Sequence, residues 1–103
     1  MPTIYITVPR DAAGDVVEAL LEDRLAACVN RLPIESTYRW EGEIIHDEET
    51  LLLAKTTEEA YDDLVECIRE VHPHDVPCLE RFDEDHVLAE YAEWVESTVG
   101  GLE

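Results

Sequence analysis

Thr3 to Val8 is dense in β-branched and aromatic residues and is stopped by Pro9, so the pattern predicts a first strand. Asp11 is then placed to cap a helix. Val16, Val17, Leu20, Leu21 and Leu25 recur at intervals of three and four, with Glu18, Glu22 and Asp23 turned outward. This spacing predicts an amphipathic helix that ends near Arg24 to Ala27. Cys28 to Trp40 returns to alternation, with Ile34, Ser36, Tyr38 and Trp40 on one face and Glu35, Thr37 and Arg39 on the other. Asn30 and Pro33 within it point to a bulge or an edge. Glu41-Gly42 forms a tight turn, and Glu43 to Lys55 runs back through Ile44, Ile45 and Leu51-Leu52-Leu53-Ala54 to complete an unusually long hairpin. Thr56 followed by Glu59 fits a capping box, Tyr61, Leu64, Val65, Ile68 and Val71 form a second helical stripe, and His72-Pro73 ends it. Val76 to Phe82 reads as a short fourth strand. Leu88, Tyr91, Val95 and Val99 mark a third helix closed by Gly100-Gly101.

The resulting order, β-α-β-β-α-β-α over a single domain spanning residues 1–103, predicts an α+β, ferredoxin-like fold with an extra C-terminal helix and a long β-hairpin. Such a fold carries its helices on one face of the sheet. Because Leu51, Leu52 and Leu53 point alternately to both faces, the face without helices also needs cover, and another copy of the chain supplies it most simply. The pattern therefore predicts self-association.

Composition narrows the function classes. The apolar fraction of 46% over 103 residues suits one packed core rather than a disordered chain. Against 26 acidic residues stand only 7 Lys plus Arg, giving a net charge of −19, and Lys55 is the sole lysine. A surface this acidic repels phosphate backbones and anionic headgroups, so nucleic acid and membrane are excluded as partners. The carboxylates lie within the periodic segments rather than in a tail. They coat a folded surface, which suits a salt-rich cytosol where charge is screened over a few ångströms. Cys28, Cys67 and Cys78 are odd in number and widely spaced, with no CxxC pair and no secretory signal, so reduced thiols in the cytoplasm are expected.

The motifs Arg24-Leu25-Ala26-Ala27-Cys28-Val29-Asn30, Tyr38-Arg39-Trp40-Glu41-Gly42, Lys55-Thr56 and His72-Pro73, with Tyr91 and Trp94-Val95 near the end, resemble the CutA divalent-cation-tolerance family in order and spacing over essentially the whole chain. The resemblance implies a homotrimer of ferredoxin-like subunits whose long hairpins wrap their neighbours, and a role in tolerance of divalent cations with copper binding. It brings no catalytic reaction and no required cofactor. The family pattern is kept in part. Where some members carry a cysteine proposed as a copper ligand, this chain has Ile6, and where a second histidine precedes His-Pro it has Val71. His74 replaces the usual tyrosine and Cys78 an acidic residue, so of the family's proposed copper ligands only His72 carries over.

The residues themselves offer two candidate constellations. His72, His74 and Cys78 lie within seven residues around two prolines, and imidazole with thiolate suits copper, zinc or another divalent cation. The competing reading is a helix stop followed by a strand residue. Glu35, Tyr38, Trp40 and Lys55 would offer a carboxylate, a phenol, an indole and a cation to a small ligand in a cleft between subunits. The competing reading there is interface packing, in which Trp and Tyr are enriched. Cys28 and Cys67 read as small buried hydrophobes.

Three function classes follow. The leading one is a non-enzymatic trimer that binds metal or a small ligand at its subunit clefts. A PII-like signalling trimer is the second, with nucleotide disfavoured because Gly14, Gly42, Gly100 and Gly101 make no phosphate-binding loop. A small isomerase-type enzyme using His72 or Glu35 as base and Lys55 or Tyr38 to stabilise an anion is the third, and no nucleophile elbow, P-loop or HExxH motif supports it.

Overall fold

The computed structural model describes residues 1–100, as β1 (Pro2–Pro9), a 3₁₀ turn (Arg10–Ala12), α1 (Ala13–Glu22), β2 (Cys28–Trp40), β3 (Glu43–Lys55), α2 (Tyr61–Val71), β4 (Cys78–Asp83) and α3 (Ala89–Thr98). Gly101, expected to help close the last helix, lies outside the described residues. The strands form one antiparallel sheet in the order β2-β3-β1-β4, the ferredoxin-like arrangement expected. Alternation along the two inner strands decides the layering. Ile4, Ile6 and Val8 of β1 and Leu52 and Ala54 of β3 are buried, against Val16, Val17 and Leu20 of α1 and Leu64, Cys67 and Ile68 of α2. Burying each large aliphatic side chain contributes about 1.5–3 kcal/mol, so this one layer supplies most of the favourable term. Helix α3 packs separately, through Val95 and, just past its end, Val99, on Ala60 with Met1, Ala27 and Tyr91 beside it.

The opposite face presents Tyr5, Leu51 and Leu53, half-buried, together with Leu32 and Phe82, which are 47% and 52% exposed. The ladder between β1 and β3 stops at Pro9↔Glu49, whereas β2 and β3 remain paired out to Trp40↔Glu43. The outer half of the hairpin is thus a two-stranded arm about 20 Å long at 3.4 Å per residue. It stretches the molecule to 45 × 26 × 21 Å. Glu41 and Gly42 at its tip have φ of 50° and 81°, the paired positive values of a two-residue turn whose twist matches the strands.

Several local expectations are corrected. Asp11 caps nothing, because the chain enters a 3₁₀ turn straight after Pro9 and α1 continues from it, leaving Asp11 inside the helical stretch. Of the bulge or edge expected at Asn30 and Pro33, the edge is what the sheet has: the β2–β3 register is unbroken, and Pro33 is tolerated because β2 is an edge strand. The fourth strand begins at Cys78, since Pro77 has no N–H to give a ladder and Val76 is 82% exposed. Leu88 precedes α3 in an extended conformation instead of lying on it.

The Thr56–Glu59 capping box does not form either. The Thr56 side chain is fully buried and its hydroxyl donates to the Leu25 carbonyl at 2.6 Å, while its N–H donates to Pro2. The turn before α2 is held by Thr57, whose Oγ1 accepts the Ala60 N–H at 3.2 Å. Thr56 therefore ties the end of β3 to the α1–β2 loop and to the start of β1. Replacing Thr56 with Val leaves the Leu25 carbonyl unpaired and should cost about 1–3 kcal/mol in urea unfolding. Glu59→Ala, at an exposed position, should stay within about 0.5 kcal/mol, and the opposite ranking would restore the capping box.

Candidate functional site

Helix α2 stops at His72 because the residue before Pro73 is driven out of helical conformation, and its ψ is 134°. That turn swings the imidazole inward, where it is 6% exposed. The Nε2–H donates to the Thr7 carbonyl at 2.8 Å, and Nδ1 accepts the His74 backbone N–H at 3.0 Å. A carbonyl only accepts and an amide N–H only donates, so these partners fix the ring as the neutral Nε2–H tautomer with both nitrogens engaged. His72 clamps the α2–β4 loop to β1.

His74 and Cys78 are exposed on either side of that clamp. The two imidazole centroids are 5.1 Å apart, and the Cys78 thiol lies 4.0 Å from Glu80 Oε2, on the strand position facing Thr7. Among the described residues no three His, Cys, Asp or Glu side chains gather at metal-holding distances. A cation on His72 would have to displace one of its two hydrogen bonds. The exposed His74 and Cys78 keep chemistry suited to a soft or borderline cation, short of a full ligand set within one subunit.

The second constellation is spread along the hairpin. Tyr38 donates its hydroxyl to Asp47, on the same face of the arm as Trp40, which stands 59% exposed beside the turn. Glu35 points to the other face, opposite Glu48. Lys55 lies at the far end of β3, opposite Cys28, with its Nζ donating to Asn30 Oδ1 at 2.7 Å. One subunit thus holds Tyr38 and Trp40 more than half a hairpin away from Lys55, and Glu35 on the reverse side. Residues of a second copy would be needed to bring all of them to one ligand. Two open pockets flank Arg24, and neither contains any of these side chains.

Asn30 was not anticipated as a partner of Lys55. Counting back from the Glu41-Gly42 turn puts the two on one face, which is the signal that would have found it. Tyr91 beside Cys28 was also missed: burial first, then the thiol, raises its phenol pKa. Cys67 is a buried core residue whose thiol pKa is pushed up by burial, as expected of a small hydrophobe.

Residues 2–98 match the family model described as CutA1 divalent ion tolerance protein. The divalent-cation tolerance protein CutA of Thermus thermophilus is 41% identical over 99 residues, covering 94% of this chain and 96% of that protein. The crystal structure of CutA1 from Pyrococcus horikoshii superposes with a TM-score of 0.92 at 38% identity, covering 96% of this chain and 98% of the other. A structure from Nostoc described as a PII-like protein CutA, in apo form, gives 0.90 at 29% identity, covering 95% and 97%.

Two measurements check the site geometry. Nitrogen-15 spectra should show His72 as the Nε2–H tautomer, and His72→Ala should speed hydrogen exchange at the His74 amide; unchanged exchange would remove the clamp. The Tyr38 phenol is raised above its ordinary pKa, chiefly by its hydrogen bond to Asp47, then by burial and by the Asp47 and Glu49 charges. A raised folded pKa means that the bond contributes fully at neutral pH and is lost as pH climbs through the raised value. In an alkaline titration Asp47→Ala should bring the Tyr38 transition down towards that of an ordinary tyrosine.

Proposed function

This chain belongs to the CutA1 divalent ion tolerance protein family, and on that premise we propose that it works without catalysis, as a trimer that binds a divalent cation or a small ligand where its subunits meet. The observation that carries this reading is the arm. A two-stranded ribbon is marginal in water, and this one exposes Tyr38, Trp40 and Ile44 while the body exposes an apolar face around Leu32, Leu53 and Phe82. Laying the arm of one copy along that face of the next covers both at once. It also carries Tyr38 and Trp40 towards the Lys55 side of the neighbour, forming a cleft that one subunit lacks, with Glu35 on the other face of the arm.

For the cation we favour copper or another divalent ion held by His74 and Cys78, with His72 joining if its clamp opens. Completion of the ligand set then falls to a neighbouring copy. A second reading, a PII-like trimer answering to a small organic ligand in the same cleft, is favoured by the likeness to the Nostoc protein described as PII-like. We place the protein in a reducing, salt-rich cytoplasm, a reading supported by its three unpaired cysteines and its net charge of −19.

Calorimetric titration of Cu(II) and Zn(II) into the purified protein in molar salt, with its mass measured in the same buffer, tests this. A mass of three chains and a saturable site per subunit, lost in the double variant His74→Ala, Cys78→Ser, is the expected result. A monomer would sink the cleft. Weak binding that salt suppresses and the variant leaves unchanged would assign the cation affinity to the surface carboxylates and leave the cleft to an organic ligand.

A further inference from the structure

Lys55 is the one lysine in a chain with 26 acidic residues, yet among the described residues its ammonium pairs with no carboxylate. Its partner is a neutral amide, Asn30 Oδ1, at 2.7 Å. Because an ammonium can only donate, this contact fixes the amide flip: the oxygen faces Lys55 and the NH₂ group faces away. The strand register sets the surroundings. Cys28 lies directly across from Lys55 on β2 and Thr3 directly across on β1, while Asn30 lies beside Leu53, one step along the same face. The hydroxyl of Thr3 is taken by Glu84, and Tyr91 of α3 borders the corner next to Cys28.

What is left over is an array of donors. The remaining ammonium protons of Lys55 and the NH₂ of Asn30, linked through the Asn30 oxygen, are exposed on the sheet face turned away from α1 and α2. One fixed positive charge beside a neutral amide balances a monoanion. A phosphate dianion would need further cations, and the surrounding net charge of −19 penalises it more heavily.

We propose that Lys55 and Asn30 form a carboxylate-binding site, one carboxylate oxygen accepting from Lys55 Nζ and the other from Asn30 Nδ2. The proposal deepens the cleft reading above and rests on it for the location of the site between copies. The same carboxylate chemistry has two sources: a free small organic acid, or an Asp or Glu side chain of the neighbouring copy.

Acetate is the probe for the first source, followed by the backbone amide resonances of residues 30 and 55 in wild type, Lys55→Met, Lys55→Arg and Asn30→Leu. Assembly constants of the same proteins from sedimentation address the second. A saturable shift in wild type, retained in Lys55→Arg and weakened about tenfold or more in Lys55→Met and Asn30→Leu with assembly unchanged, identifies a small-acid site. No acetate shift, with assembly weakened about tenfold in Lys55→Met and restored in Lys55→Arg, identifies the neighbour's side chain. No shift and no change in assembly overturns the proposal. A wild type that stays monomeric but shows the Lys55-dependent acetate shift would refute the cleft while keeping the carboxylate site.

Discussion

Strands β2 and β3 run for thirteen residues each, whereas β1 has eight and β4 six, and this mismatch of lengths governs the rest of the molecule. Where all the strands overlap, the sheet buries one face beneath α1 and α2. Beyond Pro9, among the described residues, β3 pairs with β2 alone, so the ribbon leaves the body with apolar side chains on both of its faces. The junction is braced by Arg10. Its guanidinium pairs with Glu48 at 3.1 Å and donates to the Glu49 and Ile34 carbonyls, each at 3.4 Å, touching both strands of the arm just where β1 gives out. Exposed pairs of this kind are individually weak. Three contacts from one rigid planar group nevertheless restrict the angle at which the arm departs.

The sparse cations are used with the same economy. Arg81 lies 4.7 Å over the Tyr61 ring, contacts Glu58 at 2.7 Å and makes a forked contact with Asp83, joining β4 to the segment before α2. Its hydrogen bonds hold both carboxyls below their ordinary pKa. A lowered folded pKa stabilises above the unfolded value and fades as pH falls through the folded one, so this bracket weakens only in acid. Arginine sits at these multidentate contacts, as its fork geometry favours. The lone lysine sits instead against an amide.

Much of this was legible in the residues. Alternation in Thr3 to Val8, the three-and-four spacing of Val16, Val17 and Leu20 and of Tyr61 to Ile68, and the Glu41-Gly42 turn located the layers, because each of those patterns is local and repeated, although α1 stops at Glu22, short of the expected end near Arg24 to Ala27. The failures have a common cause. Thr56 with Glu59 looks like a cap at short range, but the hydroxyl's acceptor is Leu25, 31 residues away, and no local spacing encodes that. His72 reads as a ring with a lone pair to offer until the fold brings Thr7 and the His74 N–H to its two nitrogens. The separation of Glu35 from Tyr38 was already present in the alternation of β2. What the chain alone did not disclose is how far Lys55 lies from both, since that depends on the unbroken register of the whole hairpin.

That register also constrains how the arm can change its length. Every residue of β2 faces one of β3, and the ribbon closes on a two-residue turn with both φ values positive. An insertion in one strand alone would force a bulge or slip the pairing. A matched insertion of one residue in each strand would lengthen the arm but turn Tyr38 and Trp40 to its opposite side. Only matched steps of two preserve which side faces inward, so the reach of the arm is quantised in increments of about 7 Å. Drift in arm length among related chains is therefore expected to be discontinuous, with long conserved lengths separated by abrupt paired gains or losses.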